Sequence, residues 1–127
     1  MSETDISNLT VLVVEDNDDA RYLMRLELER LGYLVNEADN GVKAVEIALR
    51  EHPDIILMDL TLPEMDGLEA TSRIRADEEM RDVPIIAVTA HSESDWREEA
   101  KASGFNAYVT KPIDGGWLSE LIKGLLV

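Results

Sequence analysis

Cysteine is absent from the 127 residues, which excludes a disulfide, a thiol nucleophile, an iron–sulfur cluster and a thiolate zinc site. Positive charge is also scarce: 12 Lys and Arg stand against 27 Asp and Glu, for a formal charge of -15. Such a field repels a phosphate backbone, and no run of Lys or Arg makes a local exception, so direct nucleic-acid binding is not expected. Long apolar stretches are missing too, none approaching the ~20 residues that span a bilayer. The N-terminal MSETDISN has neither a basic nor an apolar leader region, so membrane insertion is not expected and the cytoplasm is the expected location. Glycine-rich phosphate loops are lacking as well. Gly32, Gly41 and Gly67 are isolated and read as a helix stop, a turn and a helix start, which removes P-loop and dinucleotide binding.

The chain does have enough apolar residues for a core, at 45% hydrophobic over a length typical of one domain. Residues 1 to 9 are polar and predict a short flexible arm, leaving residues 10 to 127 as the domain. Val11 to Val14 form an apolar run without alternation, the pattern of a strand buried on both faces. Asn17 or Asp18 then caps a helix whose Ala20, Leu23, Met24, Leu28 and Leu31 recur at helical spacing. A second strand is expected over residues 33 to 38, and a second helix from a cap at Asp39 or Asn40 to Arg50, with Val42, Ala44, Val45, Ala48 and Leu49 for packing. A third strand runs from Ile55 and ends at Asp59, and Asp66 caps a helix bearing Leu68, Thr71 and Ile74. Strand four is expected at residues 84 to 88, a helix from a Ser92 capping box to Gly104, strand five at residues 106 to 110, and a last helix with Leu118, Leu121, Ile122 and Leu125. Five apolar strands alternating with five helices predict an α/β fold, because parallel strands need crossover helices. Periodicity does not supply strand order; a doubly wound sheet in the order 2-1-3-4-5 would place its switch point between strands one and three.

The acids matter by position. Glu15 and Asp16 follow the first strand and Asp59 ends the third, so this topology brings three carboxylates to the carboxyl edge of the sheet, where open α/β folds bind ligands. Crowded anions call for a counter-charge, and Mg2+ suits an all-oxygen set that leaves room for waters and phosphate oxygens. Lys111, after strand five, can offer an ammonium to the same edge, and Thr89 ends strand four. Any single Asp after a strand is equally well a turn or cap residue; the joint pattern at four strand ends is harder to assign to turns.

These segments together are similar to the receiver domain of bacterial two-component response regulators. The acidic pair Glu15-Asp16, the segment ILMDLTLPEMDG at residues 56 to 67, Thr89-Ala90 and Lys111-Pro112 occur in the family's order and approximate spacing, and the resemblance covers about residues 10 to 126. It implies a flavodoxin-like, five-stranded doubly wound sheet, of the single-domain chemotaxis-regulator kind. It further implies that Asp59 accepts a phosphoryl group from a sensor histidine kinase or a histidine phosphotransfer protein. Mg2+ would be held by Asp16, Asp59 and the Thr61 carbonyl, with Glu15 acting through an ordered water. Thr89 and Lys111 would bind phosphoryl oxygens, and Tyr108 would act with Thr89 as a switch near the face of the fourth helix, fifth strand and fifth helix. The family usually has a cis bond at Lys111-Pro112. Pro63 stiffens the acceptor loop and Gly67 permits close packing. His52 reads as a helix-end residue and His91 as an exposed loop residue; Trp96 and Trp117 suit packing or a partner surface.

The residue types make chemical sense on their own, since a carboxylate can attack phosphorus while a metal, a lysine and a hydroxyl position the transferred group. The expected function is a phosphorylation-dependent signalling switch with slow self-dephosphorylation, not a conventional multiple-turnover enzyme. With no output domain expected, the signal would pass to a downstream protein target or onward by phosphotransfer, and a homodimer is compatible. Two alternatives compete. A small phosphatase with Asp59 as nucleophile lacks an acid two residues on, where Thr61 stands. A scaffolding module would never be phosphorylated.

Overall fold

The first apolar run forms β1, Thr10–Val14, and Val11, Leu12, Val13 and Val14 are all buried because the strand is covered on both faces. The computed structural model describes residues 9–60, 65, 67–89, 104–110 and 115–126, with Thr89 and Trp117 described by backbone alone. β1 lies between β2 (Leu34–Ala38) and β3 (Ile55–Asp59), followed by β4 (Ile85–Thr89) and β5 (Ala107–Thr110). All pairings are parallel and the order is β2-β1-β3-β4-β5, the doubly wound, flavodoxin-like arrangement expected from the sequence.

Alternate side chains of each strand feed two cores. Val11, Val13, Ile55, Leu57, Ile86 and Val88 point to one layer, closed by Leu28 of α1 (Asp18–Arg30) and by Leu118 and Ile122 of the C-terminal helix α4 (Gly115–Leu126). Leu12, Val14, Ile56, Met58 and Ile85 point to the other, closed by Ala44 and Ala48 of α2 (Gly41–Glu51) and Ala70 and Ile74 of α3 (Gly67–Arg75). A 3-10 turn, Glu78–Met80, precedes β4. The described residues therefore hold four of the five expected α-helices. Residues 1 to 8 of the expected arm, Pro63, the Asp66 cap, His91, and the helix expected from Ser92 with its Trp96 lie outside them, whereas Leu9, the arm's last residue, packs on the first core and accepts from Leu34 N–H at 2.9 Å.

Local signals explain the helix ends. Asn17 caps α1 by accepting from the Ala20 amide at 2.8 Å, and Asn40 caps α2 by accepting from Lys43 at 2.8 Å. Past α1, Gly32 takes φ 105° while Tyr33 N–H donates to Leu28 at 3.1 Å and Gly32 N–H to Glu29 at 3.0 Å, closing the left-handed stop that glycine permits. His52 is the left-handed end of α2, as a helix-end residue should be, and its Nε2 lies 2.9 Å from a carboxylate oxygen of Glu79.

Some expectations need correction. Leu23 is 64% exposed, because the stripe facing the sheet is Met24, Leu28 and Leu31, and Leu23 sits one residue, about 100°, off it. Val42 and Leu49 are likewise at the rim of α2, whose buried line runs Gly41, Ala44, Ala48. β2 starts at Leu34 and β4 runs from Ile85 to Thr89, each one residue later than expected at its start. Asn106 precedes β5: its N–H donates to the Ile85 carbonyl at 2.8 Å while its Oδ1 accepts from Ile85 N–H at 2.8 Å. Arg75 joins this amino-terminal edge, donating to the Gly104, Arg81 and Val83 carbonyls and to Asn106. Burial lowers its pKa, partly offset by Asp82.

Tyr33 is buried at 2% exposure in the first of these cores, and its hydroxyl has no hydrogen-bond partner among the described residues. Burial pushes its phenol above the ordinary 10.0. The folded chain thus keeps this proton to higher pH than the unfolded chain, so the stability present below about pH 10 is lost as pH rises through the folded value. Tyr33→Phe removes an unsatisfied buried hydroxyl and is expected to leave stability at pH 7 unchanged or raise it by about 1 kcal/mol, and to flatten the alkaline loss. Urea denaturation at pH 7 and above pH 10 checks both; a clear loss at pH 7 would mean that the hydroxyl is bonded.

Candidate metal centre at the carboxyl edge

Parallel register decides where the acids meet. Val14 pairs with Met58, so Glu15, the residue after β1, comes opposite Asp59, the last of β3. Carboxylate oxygens of Glu15, Asp16 and Asp59 all lie within 4.8 Å of one another. Glu15 and Asp59 are 1% and 5% exposed, whereas Asp16 is exposed. Three like charges at this spacing repel by roughly a few kcal/mol per pair at the effective dielectric of a protein edge. Their donor set is entirely hard oxygen, which fits Mg2+ and not a soft metal.

The loop carrying two of these acids is held at several points. Glu15 N–H continues the β1 to β2 ladder by donating to Ala38 at 3.0 Å, and its carboxylate accepts from Asn17 N–H at 3.1 Å. The Glu15 carbonyl accepts from Arg21 Nη1 at 3.0 Å. Arg21 also donates to Asp18 at 2.7 Å and to Glu37 of β2 at 3.2 Å. The Asp18 bond leads in holding the guanidinium pKa above its usual value; partial burial opposes it and Glu37 adds to it.

On the β3 side, Leu60 N–H donates to Val88 at 3.1 Å, carrying the ladder one step past Asp59. Gly67 then packs so closely that a Cβ there would collide with the Asp59 carbonyl oxygen, in line with the close packing expected of it. Gly41 was expected to serve a turn. It is instead the first residue of α2, and a Cβ on it would collide with the Met65 carbonyl, so what it contributes is the missing side chain.

Of the other expected site residues, Thr89 closes β4 one step beyond Val88, the partner of Asp59, and pairs with Thr110. Thr61, Lys111 and Pro112 lie outside the described residues. Tyr108 is half-buried on β5, paired with Ala87, and packs with Leu68 and Phe105 against Leu60 and Ala87, beside the residue that follows Asp59. Sequence reasoning missed Arg21 and Glu37. A helix arginine three residues from Asp18 looks like a solvated surface pair, and only the β1–β2 pairing brings Glu37 to it.

Gly67→Ala is expected to destabilise the fold by about 1–3 kcal/mol, because the new methyl group must displace the Asp59 backbone. Thermal or urea denaturation measures it, and a neutral substitution would show that the approach relaxes freely.

Comparison with known proteins follows the same lines. The family model described as response regulator receiver domain matches residues 11–123. The polar-differentiation response regulator DivK of Brucella ovis is 41% identical over 117 residues, covering 92% of this chain and 95% of the relative, and that of Brucella anthropi is 40% identical over the same span. Among solved structures, the receiver domain of the sensor histidine kinase PA1611 of Pseudomonas aeruginosa superposes with a TM-score of 0.88 at 39% identity. It covers 94% of this chain and 98% of that one, and it carries a magnesium ion in its active-site cleft. The chemotaxis protein CheY4 of Vibrio cholerae gives a TM-score of 0.89 at 27% identity, covering 93% and 98%.

Proposed function

The chain belongs to the response regulator receiver domain family, and from that premise we propose that it accepts a phosphoryl group on Asp59 with the help of Mg2+. The observation that carries this reading is the gathering of Glu15, Asp16 and Asp59 oxygens within 4.8 Å at the carboxyl edge. The donor is a sensor histidine kinase or a histidine phosphotransfer protein, met in the cytoplasm.

In the forward step a carboxylate oxygen of Asp59 attacks phosphorus, an O–P bond forms, and the P–N bond of the donor phosphohistidine breaks with the electron pair leaving on imidazole. In the return step water attacks the same phosphorus and the Asp59 carboxylate departs, releasing inorganic phosphate. Asp16, Asp59 and the Thr61 carbonyl would hold Mg2+, which would supply neutralisation of the phosphoryl oxygens. Glu15, fixed by the Asn17 amide, would act on the site through an ordered water. The Thr89 hydroxyl and the Lys111 ammonium take the remaining oxygens. Phosphorylation adds charge and acceptors beside Leu60, and Tyr108, packed on Leu60 and Ala87, shifts with Thr89 to alter the surface offered to a downstream protein.

Two outcomes are expected. Mg2+ at ten- to hundredfold excess over its Kd should stabilise the fold by about 1–3 kcal/mol through linkage, and Asp16→Asn should abolish most of this. Thermal melts and titration calorimetry read the effect; no binding and no shift would refute the metal site. Incubation with phosphoramidate and Mg2+ should give one phosphoryl group per chain, confined to Asp59 and lost in Asp59→Asn. Sustained turnover of a phosphate ester would identify a phosphatase, and no labelling a scaffold.

A further inference from the structure

Arg21 is a cation in hydrogen-bond contact with Glu15, and that contact is made to the backbone carbonyl. Its Nη1 donates to the Glu15 carbonyl at 3.0 Å, while its other two nitrogens are taken by Asp18 at 2.7 Å and Glu37 at 3.2 Å. Glu37 is itself fixed, since its second oxygen accepts from Arg25 at 2.9 Å. The Arg21 side chain is 18% exposed, so the guanidinium is wedged between α1 and β2 and does not sweep through solvent.

The Glu15 carbonyl belongs to the peptide joining Glu15 to Asp16. Pinning it fixes the direction in which the chain leaves β1 and therefore where Asp16, the exposed member of the cluster, begins. Without the pin, repulsion among three carboxylates within 4.8 Å would favour turning that peptide and swinging Asp16 outward. The two anions bonded to Arg21 offset its charge, so its effect on a nearby cation is positional in character.

We propose that Arg21 is a positioning residue for the metal loop, holding the Glu15–Asp16 peptide so that Asp16 and Asp59 are preorganised for a divalent cation. The inference rests on the Mg2+ reading above. Positioning and simple charge make opposite forecasts. Deleting a cation next to a cation site should tighten Mg2+ binding by Coulomb's law, whereas loss of an outer support for a ligand weakens it, typically 10- to 100-fold.

The test uses the unphosphorylated chain and Mg2+ alone, by titration calorimetry, on wild type, Arg21→Ala, Arg21→Lys and Arg30→Ala. Arg30 pairs with Glu27 at the far end of α1, so its removal matches the charge change without touching the loop. Arg21→Ala is expected to weaken Mg2+ binding about tenfold, and Arg30→Ala to leave it unchanged. Arg21→Lys keeps the charge but cannot serve three acceptors in the fork geometry, and about a threefold weakening is expected. With phosphoramidate, the Mg2+ concentration for half-maximal labelling should rise by the same factors while the rate at saturating Mg2+ stays near wild type. Equal or tighter Mg2+ binding in folded Arg21→Ala overturns the proposal, as does wild-type affinity in Arg21→Lys, which decides the matter if Arg21→Ala does not fold. A wild-type chain that binds no Mg2+ overturns the metal reading itself, and this inference with it.

Discussion

The parallel ladder between β1 and β3 is the constraint on which everything else rests. Both strands are buried on both faces, so neither can shift by one residue without sending its inward side chains to the opposite core. Running in the same direction with Val14 beside Met58, they must end at the same edge, and the residues that end them are Glu15 and Asp59. The crowding of carboxylates is therefore imposed by apolar burial. Leu12, Val14, Ile56 and Met58 on one side and Val11, Val13, Ile55 and Leu57 on the other hold the acids against their own repulsion. A small domain thus gives up part of that stability to bring three carboxylates together, a repulsion that a bound cation would relieve.

Within the acidic loop the three residues divide the work by side-chain geometry. Glu15 is long enough to turn back and accept from the Asn17 amide while remaining buried. Asn17 is spent on capping α1 through Ala20. Asp16 is left exposed between them, with short reach and its start set by the peptide that Arg21 holds. Two of the carboxylates are thus positioned by strand ends and burial, and the third by backbone direction. Of the three, Asp16 is the one that solvent reaches, so a bound cation would meet the least resistance to rearrangement there.

What the sequence made legible was whatever a local pattern encodes. Apolar runs gave the strands, Asn17 and Asn40 gave the helix starts, Gly32 gave a stop, and the acids at the ends of two such runs gave the cluster. Periodicity chose poorly between adjacent apolar residues. Leu23 beside Met24 and Val42 beside Gly41 both fit a loose helical template, and only docking against the sheet decided which of each pair went inside. Tertiary approaches were hidden for a different reason: nothing near Gly41 in the chain reveals that the Met65 carbonyl will lie against it. Arg21 was hidden because a helix arginine near aspartates has an adequate explanation at the surface. Its third bond, to a backbone oxygen, has no signature in residue type.

Packing among the described residues also shows what lies beside Asp59. Among the described residues, the ground between Asp59 and β5 holds a third cluster, which shares Phe105 with one of the two large cores. There Leu60 and Ala87 form a small cluster of their own, with Leu68, Phe105 and Tyr108 only partly buried around it. It is the cluster joined most directly to Asp59, since Leu60 follows Asp59 and donates its amide to the Val88 carbonyl. On the function proposed above, a charge added at Asp59 would act first on this neighbourhood, because Leu60 is its chain neighbour and the ladder between β1 and β3 is buried on both faces.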